Sequence, residues 1–261
     1  NTPCCARGAA RCAGSPDGDQ PAGLDVPTAG AARVAGRDLL TMNAKDRLRY
    51  RREVVGFVWQ QTARNLLPHL TAAQNVALPM QLKGGRGRGK RRAERARKLL
   101  AMLGVADYHG RRPPQMSGGQ QQVAIAVALA DSPSVLLADE PTGELDSATG
   151  AEVFAAFRRA NEELGTTIVI VTHDQAVAGE VRRAVAILDG RTSTEVLRRT
   201  EVDAEGQESL AAREFATLDR AGRLQLPAEY TAALGVEDRV MLELEQDHIG
   251  VWPDDTGRPA G

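Results

Sequence analysis

Ser117-Gly118-Gly119-Gln120 stand between the helix breaker Pro113-Pro114 and a long Ala/Val/Ile/Leu run that begins at Val123. A hydroxyl and two glycines at a helix start can form an anion site. The glycines let backbone N–H groups approach a phosphate, and the helix dipole favours its negative charge. An ordinary serine cap followed by flexible glycines fits these four residues equally well. Fourteen residues after Gly119 comes Pro133, and then an apolar stretch from Ser134 that ends in Asp139-Glu140. A strand that delivers two carboxylates at its C-terminal end puts them where ligands of α/β folds bind. One can hold Mg²⁺, and the next can orient or deprotonate an attacking water. As a lone pair they would be solvated strand-end acids. Asp146 follows in Gly143-Glu144-Leu145-Asp146, a routine turn by itself, with Ser147 predicted to cap the next helix. A further apolar stretch ends in His173-Asp174, and Gln60 closes an earlier one. A lone histidine at a strand end is ordinarily a surface residue. Order and spacing, taken together, point to one shared sheet edge.

The elements that must position these groups are legible in the apolar pattern. Strands are predicted at Ala32 to Ala35, Glu53 to Gln60, Ser134 to Ala138, Thr166 to Thr172 and Val185 to Leu188. Helices are predicted at Asp46 to Arg52, from Thr71 to about Met80, after Ser117, and from Ala148 to Leu164. Continuous apolar strands separated by helices indicate a parallel sheet covered on both faces. From Glu214 the texture changes to short strands, EFATLDRAGRLQLP, RVMLELE and HIGVWPD, around the small helix AEYTAALG.

Composition narrows the class. Of 261 residues, 42% are apolar and 26% charged, the make-up of a soluble globular protein. No apolar run reaches the ~18 residues that a membrane span needs, so a membrane role requires a partner. Residues 200 to 261 carry fourteen acids and five bases, a balance of -9 that leaves +8 on residues 1 to 199. The two parts are therefore expected to do different jobs. Cys4, Cys5 and Cys12 all lie in the first twelve residues, so the rest reads as a reduced, cytosolic chain. Residues 1–22, rich in Ala, Gly, Pro and Cys, are expected to be disordered. The basic stretch Lys83 to Lys98 is expected to be a solvated loop leading into a helix, because it lacks aromatics for base stacking.

In order along the chain, GLDVPTAG, VGFVWQ, MSGGQ, VLLADEPTGELD and VTHD resemble the motifs of the ATP-binding subunits of ABC transporters, closest to the lipoprotein-release and macrolide-export branch. The resemblance covers residues 23–199. It implies an α/β P-loop NTPase domain with a helical subdomain, ATP and Mg²⁺ as ligands, and ATP hydrolysis coupled to transport. It further implies that Glu140 is the catalytic base and that His173 contacts the γ-phosphate. Asp139 and Gln60 would serve the metal, with Gln60 also sensing nucleotide and coupling to a transmembrane permease subunit. Ser117, Gly118, Gly119, Gln120 and Asp146 would meet nucleotide across a homo- or hetero-dimer of ATP-binding subunits closed head to tail. The expected location is cytoplasmic, peripheral at the inner face of the membrane. No nucleic-acid partner is expected.

Three departures accompany the resemblance. The phosphate-cradling G-x-x-x-x-G-K-[S/T] that the family carries just before the position of Gly23 is not found in this sequence. Residues 1–22 occupy that place, which suggests a truncated or frame-shifted reading. Gly84 to Lys90 fits the spacing, but Arg91 follows where Ser or Thr is needed, and a helix precedes it where a strand is needed. The Arg that the family usually carries after SGGQQQ is missing, since Val123 directly follows Gln122, and the loss of one residue would rotate the helix that follows by ~100° or force it to slide. Without the phosphate loop the chain is expected to bind ATP poorly alone. The alternatives are a catalytically dead regulatory or dimerisation partner of an intact subunit and a DNA-binding regulator. Residues 209–255 resemble the AbrB/SpoVT-like swapped-hairpin fold, and their acidic excess opposes phosphate contacts, which favours a dimerisation or regulatory role.

Overall fold

The computed structural model describes residues 4–8, 32–61, 65–83, 88–116, 118–143, 145–174, 177–188, 191–202, 208–218, 222–224, 226–236 and 240–253. Its centre is a seven-stranded sheet in the order β4 (Val55–Val58), β5 (Val135–Asp139), β6 (Thr167–Val171), β1 (Cys4–Gly8), β7 (Arg183–Leu188), β8 (Arg191–Val202) and β9 (Glu208–Ala216). The first five run parallel, and β7 to β9 continue as an antiparallel meander. β2 (Arg33–Val34) and β3 (Arg37–Asp38) form a separate short hairpin where one strand was expected.

The strand β1 corrects the expectation of disorder for part of residues 1–22. Cys4 to Ala6 pair with Val169 to Val171, and Cys4 to Gly8 pair with Arg183 to Ile187. Without β1, the facing edges of β6 and β7 would each present a row of unpaired N–H and C=O groups, and main-chain pairing makes no demand on side-chain size. The rest of that stretch lies outside the described residues.

Helices cover the sheet on one face. α4 (Gln120–Leu129) and α5 (Ser147–Leu164) lie in the main core with Leu136, Ala138, Ile168 and Ile170. α5 begins on Asp146, whose carboxylate accepts the Thr149 N–H at 2.9 Å, so the cap is Asp146 and not the expected Ser147. α2 (Ala72–Leu82) starts with a capping box between Thr71 and Gln74 and packs against α3 (Gly89–Met102) and α4. α2 and α3 form the helical region expected from Thr71 to about Arg112. On the opposite sheet face Val135 and Leu137 pack with Val34, Val55, Phe57 and Val169.

The helix that follows MSGGQ is tightly enclosed. α4 is buried on nearly every side, and it carries Gln121 at 2% exposure and Gln122 at 3%. Gln122 donates to Glu152 at 3.3 Å, while its own carbonyl oxygen has no partner among the described residues.

β8 and β9 form a long hairpin, with Glu208–Ala216 hydrogen-bonded into the large sheet. It runs across the gap expected between units 23–199 and 209–255. Beyond it come α7 (Ala228–Ala233) and a two-stranded hairpin of β10 (Val240–Leu244) and β11 (Ile249–Pro253), near the expected small helix and last two strands.

Close packing of α4 on β4 generates a test. A β-carbon on Gly56 would overlap the Ala128 carbonyl oxygen, a backbone atom that cannot swing away. Gly56→Ala should destabilise the chain by about 1–3 kcal/mol in denaturant unfolding. An unchanged midpoint would show that α4 does not sit this close.

Candidate functional site

Parallel pairing puts the C-terminal ends of β4, β5 and β6 on one side of the sheet. Val58 pairs with Ala138, and Asp139 pairs with Val171, so Gln60, Asp139-Glu140 and Thr172-His173 all leave the sheet at the same edge. Glu140 then turns sharply. Its φ is +42°, a left-handed conformation that a non-glycine residue rarely adopts. Its N–H donates to the Val171 carbonyl at 2.9 Å, which ties the turn to the neighbouring strand. Such strain persists where surrounding contacts over-determine it.

Those contacts involve the carboxylate. Glu140 Oε2 accepts the Thr172 hydroxyl at 2.8 Å. Oε1 accepts the His173 backbone N–H at 2.7 Å and lies 2.6 Å from His173 Nδ1. With the carboxylate ionised, Nδ1 is the donor and Nε2 is left at the outer end of the ring. Glu140 is largely covered, at 15% side-chain exposure, whereas the His173 ring is 81% exposed. The Glu140 hydrogen bond, followed by its charge, raises the His173 pKa above the ordinary value. Here, then, is a carboxylate held by three donors of one neighbouring loop, with an imidazole presented to solvent beside it.

Asp139 is half-buried at the end of β5. Gln60 is exposed, and its amide nitrogen comes within 3.5 Å of where a β-carbon on Gly143 would stand, so it reaches the turn that follows Glu140. Gln60, Asp139, Glu140 and His173 thus all stand along the one sheet edge, with contact between the Glu140 and His173 side chains.

The signature residues behave differently. Ser117 lies outside the described residues. Gly118 has φ +85° and is open to solvent, while a β-carbon on Gly119 would overlap the Tyr108 ring. The glycine pair therefore serves a left-handed turn and a close approach, the two needs that exclude side chains. Gln120 turns its amide back, with Nε2 donating to the carbonyls of Pro113 and Met116 at 3.0 Å each. In this conformation it braces the segment before α4. Asp146 uses both oxygens at Thr149, one on the N–H and one on the hydroxyl at 3.0 Å, and these bonds lower its pKa. Gly89 and Lys90, from the near-match to a phosphate loop, begin α3, and α2 precedes them.

Three residues escaped the sequence reading. Thr172, 2% exposed, joins Glu140 to the histidine loop and also accepts the Asp174 N–H at 3.1 Å. Asn65 pins the chain around Gln60, accepting the Trp59 N–H at 3.0 Å and donating to its carbonyl at 2.9 Å. Tyr108 packs on Gly119. A threonine at a strand end or an asparagine in a loop carries no periodic signal. Only the folded chain identifies their partners.

The family described as ABC transporter matches residues 22–143. The lipoprotein-releasing system ATP-binding protein LolD 1 of Chlorobium chlorochromatii is 45% identical over 180 residues, covering 69% of this chain and 72% of that protein. The macrolide export ATP-binding/permease protein MacB of Syntrophobacter fumaroxidans is 48% identical over 168 residues, covering 64% of this chain and 23% of that protein. The chain thus spans about a quarter of the length of such macrolide export proteins. Among solved structures, a dimeric ATP-binding cassette in a post-hydrolysis state bound to ADP and Pi aligns with TM-score 0.61 at 35% identity. That alignment covers 74% of this chain and 84% of the cassette.

The Glu140–His173 contact makes a checkable statement about charge. Since the carboxylate raises the folded-state pKa of His173, the pair adds stability below the unfolded histidine value of about 6.5. That contribution is lost as pH rises through the raised folded value. Glu140→Gln should bring the His173 titration down towards the unperturbed value when followed by ring-proton NMR. An unshifted titration would mean that the two side chains do not meet in solution.

Proposed function

This chain belongs to the ABC transporter ATP-binding family, whose chemistry is ATP hydrolysis coupled to transport, and we propose that it serves as the ATP-binding subunit of a membrane exporter of the lipoprotein-release or macrolide-export kind. The observation that carries this reading is the placement of the Glu140 carboxylate against Thr172 and His173, beside Asp139 and Gln60, on the ligand-binding edge of a parallel sheet. The permease, the exported substrate and the location at the inner membrane face belong to the same proposal. No helix among the described residues is long and apolar enough to cross a membrane.

Each residue then has a role. Asp139 and the Gln60 amide are oxygen donors at the ends of adjacent strands, the donor type that suits Mg²⁺, with water and phosphate completing the set. When bound, the ion neutralises phosphate charge. Glu140 accepts a proton from the attacking water, and Thr172 and His173 hold its carboxylate in place. When His173 is protonated, the state its raised pKa favours, the Nε2–H at the outer end of the ring can donate to a phosphate oxygen. Ser117, Gly118 and Gly119 act on nucleotide bound by the facing subunit of a head-to-tail dimer, with Gln120 and Asp146 shaping the loops around it. Gln60, with the helical region from Thr71 to about Arg112, couples the site to the permease.

These 261 residues contain no P-loop lysine in its motif, and from this we infer that the chain relies on an intact partner for tight nucleotide binding. A regulatory subunit without turnover of its own is the variant that this observation favours. Titration calorimetry on the isolated chain should detect no micromolar ATP binding. Mixing with an intact ATP-binding subunit should restore a hydrolysing dimer whose activity is lost on Ser117→Arg. Micromolar binding by the chain alone, or an unaffected Ser117→Arg mixture, would contradict the composite-site reading.

A further inference from the structure

The basic charge of this chain is gathered in one place. Residues 83–98 hold nine bases and one acid, a balance of +8 that accounts for the whole basic excess of residues 1–199. α2 ends at Leu82, α3 begins at Gly89, and the two helices pack against each other, so the short link between them forms one tip of the helical region. At this tip Lys83, Arg88, Lys90 and Arg91 are exposed, and Arg97 and Lys98 are exposed two turns further along α3. The one acid among them, Glu94, is taken by Lys98 at 3.1 Å. Arg88, Lys90, Arg91 and Arg97 have no carboxylate partner among the described residues.

This charge does not serve the fold. Lys90 and Arg91 stand in the first turn of α3, where no acid accompanies them, so they oppose the positive end of the helix dipole. The helix is held by its other face, on which Ala96, Leu99 and Leu100 are buried. Lys90 and Arg97 are seven residues apart, two turns of helix, and Arg91 and Lys98 repeat the spacing. The four cations therefore form two parallel rows, each ~10 Å long, on the solvent side of α3. An apolar group accompanies them at the tip. Leu82 is 73% exposed, and among the described large apolar residues only Leu244 is more so. Residues 82–102 contain no aromatic side chain that could stack on a base.

From these observations we propose that the tip of α2 and α3 rests on an anionic phospholipid surface, with the cations of α3 at the headgroup phosphates and Leu82 inserted between the headgroups. The choice of a membrane as partner rests on the exporter reading above, which keeps the chain beside one. Charge and apolarity together select this partner. Each Lys or Arg near an anionic leaflet raises affinity roughly five-fold. An exposed leucine adds to binding where acyl chains lie under the phosphates, and a nucleic-acid backbone offers it nothing comparable. Lys and Arg stems can lie along the same apolar boundary while their heads stay at the phosphates. The acidic balance of -9 beyond residue 199 is repelled by such a surface, which favours the approach in which the tip leads. The contact needs neither nucleotide nor permease, so it gives the subunit a foothold on the membrane of its own.

Flotation of the full chain with lipid vesicles tests it. The protein should float with vesicles of equimolar phosphatidylcholine and phosphatidylglycerol and not with phosphatidylcholine alone. Salt at about 1 M, where the Debye length falls to about 3 Å, should release most of it. Replacing Lys90, Arg91 and Arg97 together by Gln should weaken binding about 100-fold, whereas Lys90→Arg should leave it unchanged. Two of these replacements remove cations that oppose the helix dipole, so the triple variant should unfold at the same denaturant midpoint or a higher one, which separates lost binding from lost folding. Leu82→Ser should weaken vesicle binding about five-fold and leave any retention of duplex DNA unchanged. Absence of binding to the phosphatidylglycerol vesicles, equal binding to phosphatidylcholine, indifference to the triple replacement or to Leu82→Ser, or a preference for duplex DNA over vesicles would each overturn the proposal. The mixed-dimer ATPase measurement contains no lipid, so a failure of the exporter reading there and a failure of the lipid contact here are read separately.

Discussion

A parallel strand pair holds its two C-terminal ends level, because evenly spaced main-chain bonds leave no freedom to slide without breaking the ladder. In this protein that constraint sets Asp139 beside Val171 and Val58 beside Ala138. Gln60, Asp139, Glu140, Thr172 and His173 are each the first or second residue past one of those pairs, or the last residue within it. The strands are short, and the edge they create is defined by backbone geometry before any side chain is chosen. Glu140 then departs from regular geometry, and its left-handed turn is held by the Val171 carbonyl together with the donors of Thr172 and His173. The strain and the site coincide.

The surrounding helices hold this edge at unequal quality. α5 is well started, with Asp146 at its first turn and the left-handed Gly165 at its end. α4 is not so well matched to its surroundings. Gln121 and Gln122 are buried in it, and it closes on Gly56 so tightly that no β-carbon fits there. A helix shifted by one residue keeps its hydrogen bonds but exchanges which side chains meet the core. Its N-terminus carries Gly118 and Gly119, so the register of α4 also decides where the signature points.

Two regions of the chain are organised by different physics. The sheet and its helices bury a continuous cluster from Val58 to Ala184. The C-terminal hairpin instead displays its apolar residues. Charge follows the same division, with the basic excess before residue 200 and the acidic excess after it.

Much of this was legible in the order of residues alone. The apolar runs ending in Gln60, Asp139 and Thr172 marked three strands, their exits marked a shared edge, and Thr71 marked a helix start, because strand burial, strand ends and caps are local properties. What only the tertiary structure decided depends on partners distant along the chain. Cys4 to Gly8 look unfit for a strand by composition, and they form one because β6 and β7 flank a slot whose main-chain groups need pairing. Gln120 turns its amide nitrogen onto the carbonyls of Pro113 and Met116, and Asp146 its carboxylate onto Thr149, partners that the residue order does not name. Thr172, Asn65 and Tyr108 acquire their roles only from what folding brings against them. Residue type and spacing determined which groups could act at this edge. Hydrogen-bond partners and contact distances, which no one-dimensional pattern contains, decided which of them are available to do so.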